Sequence, residues 1–387
     1  MRVARADRSV LGQWWLSVDR GLIVAILALM GAGLVIALAS SPAVAVKKGL
    51  PALYFAERHM VFAGVGLMLM LAVSLLSPRT LRRLALWTFI VSIAAMAAVL
   101  WTGDEINGAR RWLRIAGFSL QPSEFGKPAF VVLVAWAFAE SERRPDMPAL
   151  PIATGLLVIF ATLLVLQPDI GQTLLVAAVW VTLFLLSGRG IAAVLAVSSA
   201  GAAGLIAAYV TFSHVRFRID RFMSPPTGGK SQTERAFQSF AEGGWFGRGP
   251  GEGTMKTILP DAHTDFVFAV VAEEFGAIVC VLLVMLLAAI VLRPILRAAN
   301  EDDAFIRNSA IGLALLLGLQ ALINLGSNVG LLPAKGMTLP FVSVGGSSML
   351  AVSLTAGMLL GISRRRNTLG LLHARSRARV AAHEGAS

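Results

Sequence analysis

Residues 21–42 have the sequence GLIVAILALMGAGLVIALASSP, an apolar stretch without a single charged side chain. A helix needs about 20 such residues to cross the hydrocarbon core of a bilayer, which is roughly 30 Å thick. Barrel strands are excluded because they alternate polar and apolar residues. A spanning segment must also satisfy its own backbone hydrogen bonds. The stretch therefore predicts a transmembrane helix.

Apolar blocks of this kind recur through the whole chain. Of its 387 residues, 56% are hydrophobic and 14% are charged, whereas soluble domains have about 25% charged residues. We predict an all-α integral membrane protein with ten transmembrane helices, and their even number places both termini on one side. The predicted spans are residues 21–42, 58–77, 84–101, 125–141, 150–166, 172–188, 191–212, 266–292, 308–332 and 347–363.

The distribution of basic residues indicates the orientation, because cytoplasmic loops carry an excess of Lys and Arg. With both termini in the cytoplasm, internal segments hold nineteen of the 34 basic residues and external segments hold fifteen. Eleven of those fifteen lie in two external loops, residues 102–127 and 213–265. Basic residues outside favour an anionic ligand there, although long loops are also translocated regardless of charge.

We expect three parts along the chain. These are a cytoplasmic N-terminal segment (residues 1–20), a ten-helix membrane domain (21–363) and a basic cytoplasmic tail (364–387). The long loop 213–265, between the seventh and eighth spans, is rich in Gly and Pro but contains aromatic residues such as Trp245. Aromatic residues are rare in disordered segments. We therefore expect a folded extracytoplasmic cap at the membrane surface.

The strongest candidate for chemistry is Asp265, in the segment PDAHTDF (residues 260–266) where the long loop meets the eighth span. A carboxylate there lies near the positive end of a helix dipole. Partial burial raises its basicity toward that of a general base. The alternative is a helix N-cap formed by Thr264 or Asp265, and the local sequence by itself favours the cap.

No motif for a cofactor is present. The sequence has neither a Walker loop nor a histidine–cysteine cluster for a metal. We therefore expect no cofactor and no nucleic-acid partner. The carboxylates of Asp261 and Asp265 leave one question open, namely whether a divalent cation, Mg²⁺ or Mn²⁺, binds in this segment.

A second cluster lies in the external loop before the fourth span. Its cations offer a binding site for a pyrophosphate group, and its tryptophan suits an interfacial anchor or a stacking surface for a sugar. An amphipathic interfacial helix is the alternative that the sequence leaves open. The cluster comprises Arg110, Arg111, Trp112, Arg114, Glu124 and Lys127.

Several other polar residues lie at or within predicted spans. Carboxylates at such depths are costly and face a cavity or a basic partner, which predicts structural ion pairs or a cavity for Glu124, Asp169, Glu273 and Glu274. Helical rise places Glu273 about 12 Å beyond Asp265.

The ninth span and the segment after it contain a further set of polar residues. Gln320, Asn324 and Asn328 are four residues apart, so they form a stripe on one helix face that must contact the bundle or a wet cavity. After Lys335, the glycine–serine segment 343–348 either lets the backbone approach a ligand or packs as a re-entrant loop.

Together these motifs resemble the SEDS family (shape, elongation, division and sporulation) over residues 10–367. Within the family the chain resembles the division-type members more than the elongation-type members, as judged from residues 247–253, 259–265 and 332–340. Val344 departs from the family, in which many members have tyrosine. The blocks that carry the resemblance are residues 107–112, 121–127, 167–169, 247–253, 260–265 and 339–348.

The resemblance implies a ten-helix fold and a peptidoglycan glycosyltransferase at the outer face of the cytoplasmic (inner) membrane, at the division septum. Its substrate would be lipid II, an undecaprenyl-pyrophosphate-linked disaccharide-pentapeptide. Asp265 would be the catalytic carboxylate, which reverses the local preference for a cap. The candidate substrate-binding residues are Arg111, Trp112, Lys127, Arg248, Lys335, Asn324 and Asn328.

The resemblance also implies partners. These are a class B penicillin-binding protein with transpeptidase activity, other divisome proteins and membrane lipids. Two alternatives remain open at this stage: a flippase that transports lipid II across the bilayer, and an elongation-type polymerase. Motifs clustered on one face favour chemistry over transport, because a flippase should also show a matching inner site.

Overall fold

The computed structural model describes residues 9–106, 109–115, 117–188, 190–211, 213, 216–217, 220, 232–259, 261–332 and 336–364. Helices dominate these residues. They are α1 (Val10–Ser17), α2 (Arg20–Lys47), α3 (Tyr54–Ser74), α4 (Pro78–Thr102), α5 (Pro122–Arg143), α6 (Ala149–Leu166), α7 (Ile170–Leu186), α8 (Ile191–Thr211), α9 (Gln232–Gly243), α10 (Met255–Ile258), α11 (Val267–Ala298), α12 (Ala304–Asn328) and α13 (Gly346–Ile362).

Each of the ten predicted spans coincides with one of the helices α2–α8 and α11–α13. Six of them, α2, α3, α4, α6, α11 and α12, are long and apolar enough to cross a membrane, while α7 and α13 are shorter apolar helices. Many of their large apolar side chains point outward, among them Val24, Val91 and Val281. Helix faces in contact with lipid acyl chains are apolar, so these outward faces fit a membrane environment.

Helix α5 lies at the centre of the bundle, buried along most of its length. It packs against α4, α6, α12 and α13, and α13 packs in turn against α3. Aromatic rings fill the space around α5, since Phe130 lies 5.7 Å from Phe160 between ring centroids. Because α5 and α12 carry several of the candidate polar residues, those side chains are forced into the interior.

A small antiparallel sheet connects α4 to α5, and it corrects one expectation. The strands are β1 (Asp104–Ile106), β2 (Ala109–Ile115) and β3 (Phe118–Leu120), in the order β1-β2-β3. Gly117, with φ of +82°, lies in the tight turn between β2 and β3. The amphipathic interfacial helix considered for this loop is therefore wrong over these strands.

Helix α11 is interrupted at Gly276, whose φ of +81° and ψ of 175° are not helical. In an unbroken helix the carbonyls of Glu273 and Glu274 would accept hydrogen bonds from amides four residues later. Instead they accept from the amides of Arg248 and Gly249, at 2.9 and 3.0 Å. The glycine-rich end of the long loop thus inserts into the break.

The backbone amides that follow the break also form hydrogen bonds with the loop. The amides of Ala277 and Ile278 donate to the carbonyls of Gly244 and Trp245, at 2.9 and 3.3 Å. A Cβ atom on Gly276 would lie 2.4 Å from the Trp245 carbonyl oxygen. Only glycine permits both this approach and this backbone conformation.

Candidate active site

Asp265 lies in a turn whose backbone carbonyls are bound from outside. The His263 carbonyl accepts from the Val344 amide at 2.9 Å, and the Thr264 carbonyl accepts from the Ser343 hydroxyl at 2.6 Å. The Asp265 carbonyl accepts from two side-chain amides on α12, as described next. Three successive peptide units are therefore fixed by α12 and by the segment that precedes α13.

Asn324 and Asn328 provide the hydrogen bonds to Asp265. Each Nδ2 lies 2.9 Å from the Asp265 carbonyl oxygen. Asn324 also donates to the Met337 carbonyl at 2.6 Å, and Oδ1 of Asn328 accepts from the Ala269 amide at 3.1 Å. The polar stripe predicted on the ninth span thus faces the bundle, where these two side chains position the aspartate backbone.

Neither Thr264 nor Asp265 caps α11. The N-cap residue is Phe266, and no side chain makes a capping hydrogen bond there. The partly buried Asp265 carboxylate is therefore not occupied as a cap. The Asp265 amide donates to the Asp261 carbonyl at 3.1 Å, which closes the turn.

The surroundings of Asp265 favour its protonated form. Burial, together with the negative charge of Asp261, raises the pKa of Asp265 to about 7, against the opposing effects of a Thr264 hydrogen bond and the positive charge of Arg111. A group with a pKa near neutrality can both take and release a proton at physiological pH. These are the properties of a general base.

Arg111 in β2 is tied to the connection between α6 and α7. Its Nε donates to the Gln167 carbonyl at 2.9 Å, one Nη donates to the Pro168 carbonyl, and the other lies 3.3 Å from the Asp169 carboxylate. Asp169, for which the sequence predicts an ion pair or a cavity, thus lies against Arg111. The forked guanidinium thereby brings a cation close enough to act on the pKa of Asp265.

Lys127 lies in a buried polar network between α5, α7 and α12. Its Nζ donates to Glu124 at 2.9 Å, to the Gln172 side chain at 2.9 Å and to the Gln320 side chain at 3.0 Å. All three ammonium protons are thus engaged. Gln320 continues the network to the Thr338 carbonyl at 3.1 Å. Direct contact of Lys127 with a ligand requires exchange of one of these bonds.

Glu273 and Glu274 bind the segment that leads to Asp265. Glu273 accepts from the amides of Thr254 and Met255, at 2.5 and 2.9 Å, at the start of α10. Glu274 lies 2.5 Å from Nζ of Lys256, a buried ion pair. Two carboxylates inside α11 therefore hold α10 in place.

Other candidates lie further from these contacts. Arg248 pairs with Glu242 at 3.1 Å and is 41% exposed. Trp112 is partly buried in β2, beside Arg111 in sequence. Lys335 lies outside the described residues. Its neighbour Gly336 is close to the site, since a Cβ there would lie 3.6 Å from the Asp265 carboxylate.

Metal ligands are sparse in the part of the chain that the structure describes. No group of three His, Cys, Asp or Glu side chains is arranged to hold a metal ion there. Asp261 and Asp265 influence one another electrostatically. One or two carboxylates are typical of Mg²⁺ sites that keep several waters, so Asp261 and Asp265 are the residues that would hold a divalent cation if one binds here.

Three side chains of the site are not singled out by sequence reasoning. Gln172 is a polar residue inside an apolar span, and that feature is the available signal. Ser343 lies in a glycine–serine segment that indicates a turn rather than its contact to the Thr264 carbonyl. Lys256 lies in a loop with several other cations, although a lysine close to an acidic pair on the next helix is a signal for burial with it.

Residues 20–368 match the family described as cell cycle protein, FtsW/RodA/SpoVE. The chain belongs to this family, the SEDS proteins, and is a multi-pass, predominantly helical membrane protein. It is 45% identical to the probable peptidoglycan glycosyltransferase FtsW of Caulobacter vibrioides, over 94% of this chain and 93% of the relative. The corresponding protein of Trichlorobacter lovleyi is 35% identical over 89% of this chain and 93% of the relative.

Solved structures show the same fold. A chain from a peptidoglycan synthase complex that coordinates polymerization and crosslinking matches with a TM-score of 0.75 and 30% identity, covering 90% of this chain and 98% of that one. The rod shape determining protein RodA of Thermus thermophilus matches with a TM-score of 0.67 and 29% identity, covering 90% and 97%.

Proposed function

We propose that this chain is a peptidoglycan glycosyltransferase that polymerises lipid II for septal wall synthesis. The observation that carries the proposal is the turn at Asp265, whose backbone is fixed by Asn324, Asn328 and Ser343. This turn holds a partly buried carboxylate within electrostatic reach of Arg111, and burial raises the pKa of that carboxylate to about 7. Relatives named as peptidoglycan glycosyltransferase FtsW support both the activity and the division role.

The reaction begins when the 4-hydroxyl of the acceptor GlcNAc attacks the anomeric carbon of the donor MurNAc. Undecaprenyl pyrophosphate leaves as the new glycosidic bond forms. A hydroxyl is a weak nucleophile, so a base that removes its proton during attack accelerates the step. Asp265 takes this role, and its pKa of about 7 lets it return the proton to solvent afterwards.

The leaving pyrophosphate requires cations to stabilise its growing charge. Arg111 is the first candidate, because it already lies in electrostatic reach of Asp265. Lys127, Arg248 and Lys335 follow, and Trp112 supplies a surface for a sugar ring. Asn324 and Asn328 act by positioning Asp265. Asp261 and Asp265 are the residues that would hold a Mg²⁺ or Mn²⁺ ion, which when bound would supply further charge neutralisation for the leaving group.

The location follows from the substrate. Its prenyl chain stays in the bilayer while its sugars lie outside, so we place Asp265 at the outer face and both termini in the cytoplasm. We propose that all ten predicted spans cross the inner membrane. The solved synthase complex supports a class B penicillin-binding protein as the partner that crosslinks the product.

The test is polymerisation of labelled lipid II by the purified full chain, with and without its class B partner, resolved on a gel. Asp265→Asn should reduce the rate by about 10²–10⁴-fold, the usual contribution of a general base. Asp146→Asn is the matched control, because Asp146 is exposed between α5 and α6. Normal polymerisation by folded Asp265→Asn protein would exclude the assignment, and lipid II translocation without glycan strands would favour the flippase.

A further inference from the structure

A cavity of about 280 Å³ lies at the end of the bundle opposite Asp265. Helix α2 begins there at Arg20 and ends at Lys47, whose Nζ reaches the Thr257 carbonyl near the candidate active site. Helix α11 begins beside Asp265, and the residues of its last turns line the cavity. The lining residues are Leu16, Ser17, Val18, Asp19, Arg20, Gly21, Arg293 and Arg297.

Positive charge exceeds negative charge in this cavity. The buried carboxylate of Asp19 lies 2.8 Å from Nε of Arg293 and also contacts Arg297. Burial opposes ionisation, but the Arg293 hydrogen bond, the Leu22 amide and both arginine charges hold the pKa of Asp19 below its usual value. One carboxylate thus faces three arginines, since Arg20 has no carboxylate partner among the described residues.

The arginines are fixed in place yet remain accessible. The side chains of Arg293 and Arg297 are 43% and 37% exposed. Arg293 lies over Gly21, where a Cβ atom would come within 2.6 Å of its guanidinium. Arg364 closes one side, because its Nε donates to the Ser17 hydroxyl at 3.1 Å.

Helix α1, which leads to the cavity, exposes apolar side chains. The short helix α1 exposes Leu11 by 65%, Leu16 by 47% and Trp15 by 40%. Arg20 lies 4.9 Å above the Trp15 ring and donates to the Trp15 carbonyl. A half-exposed tryptophan beside exposed leucines is typical of a segment lying in the membrane interface.

We propose that this cavity binds the phosphate of an anionic phospholipid in the leaflet opposite Asp265. Arg20, Arg293 and Arg297 would hold the phosphate, and α1 would rest among the acyl chains. Arginine favours phosphate because its fork donates two parallel hydrogen bonds. Basic pockets between transmembrane helices bind anionic head groups in this way. The inference does not depend on the glycosyltransferase assignment.

The experiment titrates dioleoylphosphatidylglycerol into the purified full chain in a neutral detergent and counts bound lipids by native mass spectrometry. Dioleoylphosphatidylcholine has the same acyl chains without the net charge, and inorganic phosphate has the charge without the chains. We expect saturable binding of phosphatidylglycerol alone. Arg20→Gln should weaken it about fivefold, the usual contribution of one basic residue near a lipid surface. Arg20→Lys, which keeps the charge but lacks the fork, should weaken it less than Arg20→Gln does.

Arg83→Gln is the matched control, because Arg83 is an exposed arginine near the start of α4 that does not line the cavity. It should bind phosphatidylglycerol as the unmodified chain does. Equal binding by Arg20→Gln, equal binding of phosphatidylcholine, or equal affinity for phosphate alone would each overturn the proposal. Arg297→Gln provides a second variant if Arg20→Gln fails to fold.

Discussion

The side chain of Asn328 joins α12 to the start of α11 through Asp265, donating to the Asp265 carbonyl at 2.9 Å and accepting from the Ala269 amide at 3.1 Å. One amide thus satisfies the backbone on both sides of the α11 N-terminus. The orientation of the candidate base therefore depends on a helix that is distant in sequence.

Replacing Asn328 with Ala should impair catalysis more than folding. It removes one donor to the Asp265 carbonyl and one acceptor from the Ala269 amide. That amide keeps its 3.1 Å hydrogen bond to the Phe266 carbonyl, so the stability cost is about 0.5–1.5 kcal/mol. Displacement of a reacting group by about 1 Å can lower the rate on the order of 10²-fold. We expect such a loss in lipid II polymerisation. The control is Asn308→Ala, a buried amide on the same helix whose Nδ2 makes no hydrogen bond in the structure; an equal loss in both variants would contradict a positioning role.

Asp261→Asn should shift the pH dependence of polymerisation. The negative charge of Asp261 raises the pKa of Asp265, so its removal lowers that pKa from about 7. The base is then ionised at lower pH, and the acid limb of the pH–rate profile should move to lower pH. Rates measured between pH 5 and pH 9 check this, and an unmoved or upward-shifted limb would refute the coupling.

Asp265→Asn should stabilise the protein relative to the unmodified chain, and this difference in stability should increase as the pH rises. The unfolded carboxyl ionises near its ordinary pKa of about 3.9, whereas the folded one ionises only near a pKa of about 7. At a pH between these two pKa values, ionisation of the Asp265 carboxyl favours the unfolded state of the unmodified chain. An asparagine side chain does not ionise, so the variant is not destabilised in this way. The Tm difference between the two proteins should grow from pH 4 to pH 7 and then level off. A constant difference would show that the folded pKa is not raised.

The Arg111→Lys variant should lose polymerisation activity although lysine keeps the positive charge. Arginine bonds in three directions here, to the carbonyls of Gln167 and Pro168 and to the Asp169 carboxylate. A lysine ammonium is a compact charge that cannot reproduce this fork. We expect about a tenfold or greater loss of polymerisation rate, since each factor of ten corresponds to about 1.4 kcal/mol. Arg110→Lys, at an exposed neighbour paired with Glu105, should retain activity.

Gly276→Ala should prevent stable folding. Its φ is +81°, and the added methyl group would lie 2.4 Å from the Trp245 carbonyl oxygen. The loop would have to leave the break in α11, which exposes the carbonyls and amides that it satisfies. Yield of monodisperse protein after gel filtration measures the effect. Gly155→Ala should be tolerated, because among the described residues no neighbouring atom lies within 4 Å of the place that its methyl group would take.

The positions of the helices are predictable from the sequence. Apolar blocks long enough to cross a bilayer leave helix as the available structure, and all ten predicted ranges coincide with helices. The sheet from Asp104 to Leu120 is not predictable in the same way, because β1 and β3 have only three residues each and β1 and β2 are rich in charge. The interruption at Gly276 also escapes prediction, since a lone glycine is tolerated in many helices.

The site is predictable in its residues but not in its contacts. Motifs identify Asp265, Arg111 and Lys127 as candidates. The three partners of Lys127 come from α5, α7 and α12, and only packing of the helices brings them together. The same limit applies to the asparagines of α12, whose roles depend on a backbone carbonyl rather than on a ligand.

The interruption of α11 also resets its rotational phase. In a continuous helix, one inserted residue would turn every side chain beyond it by about 100° around the helix axis. An insertion near Asp265 would therefore also change the direction of Arg293. Because loop residues 244–249 hydrogen-bond to both halves of the helix at Gly276, an insertion between Asp265 and the break would not turn Arg293 and Arg297, whose half of the helix is held separately. The two ends of this protein can therefore change separately in evolution.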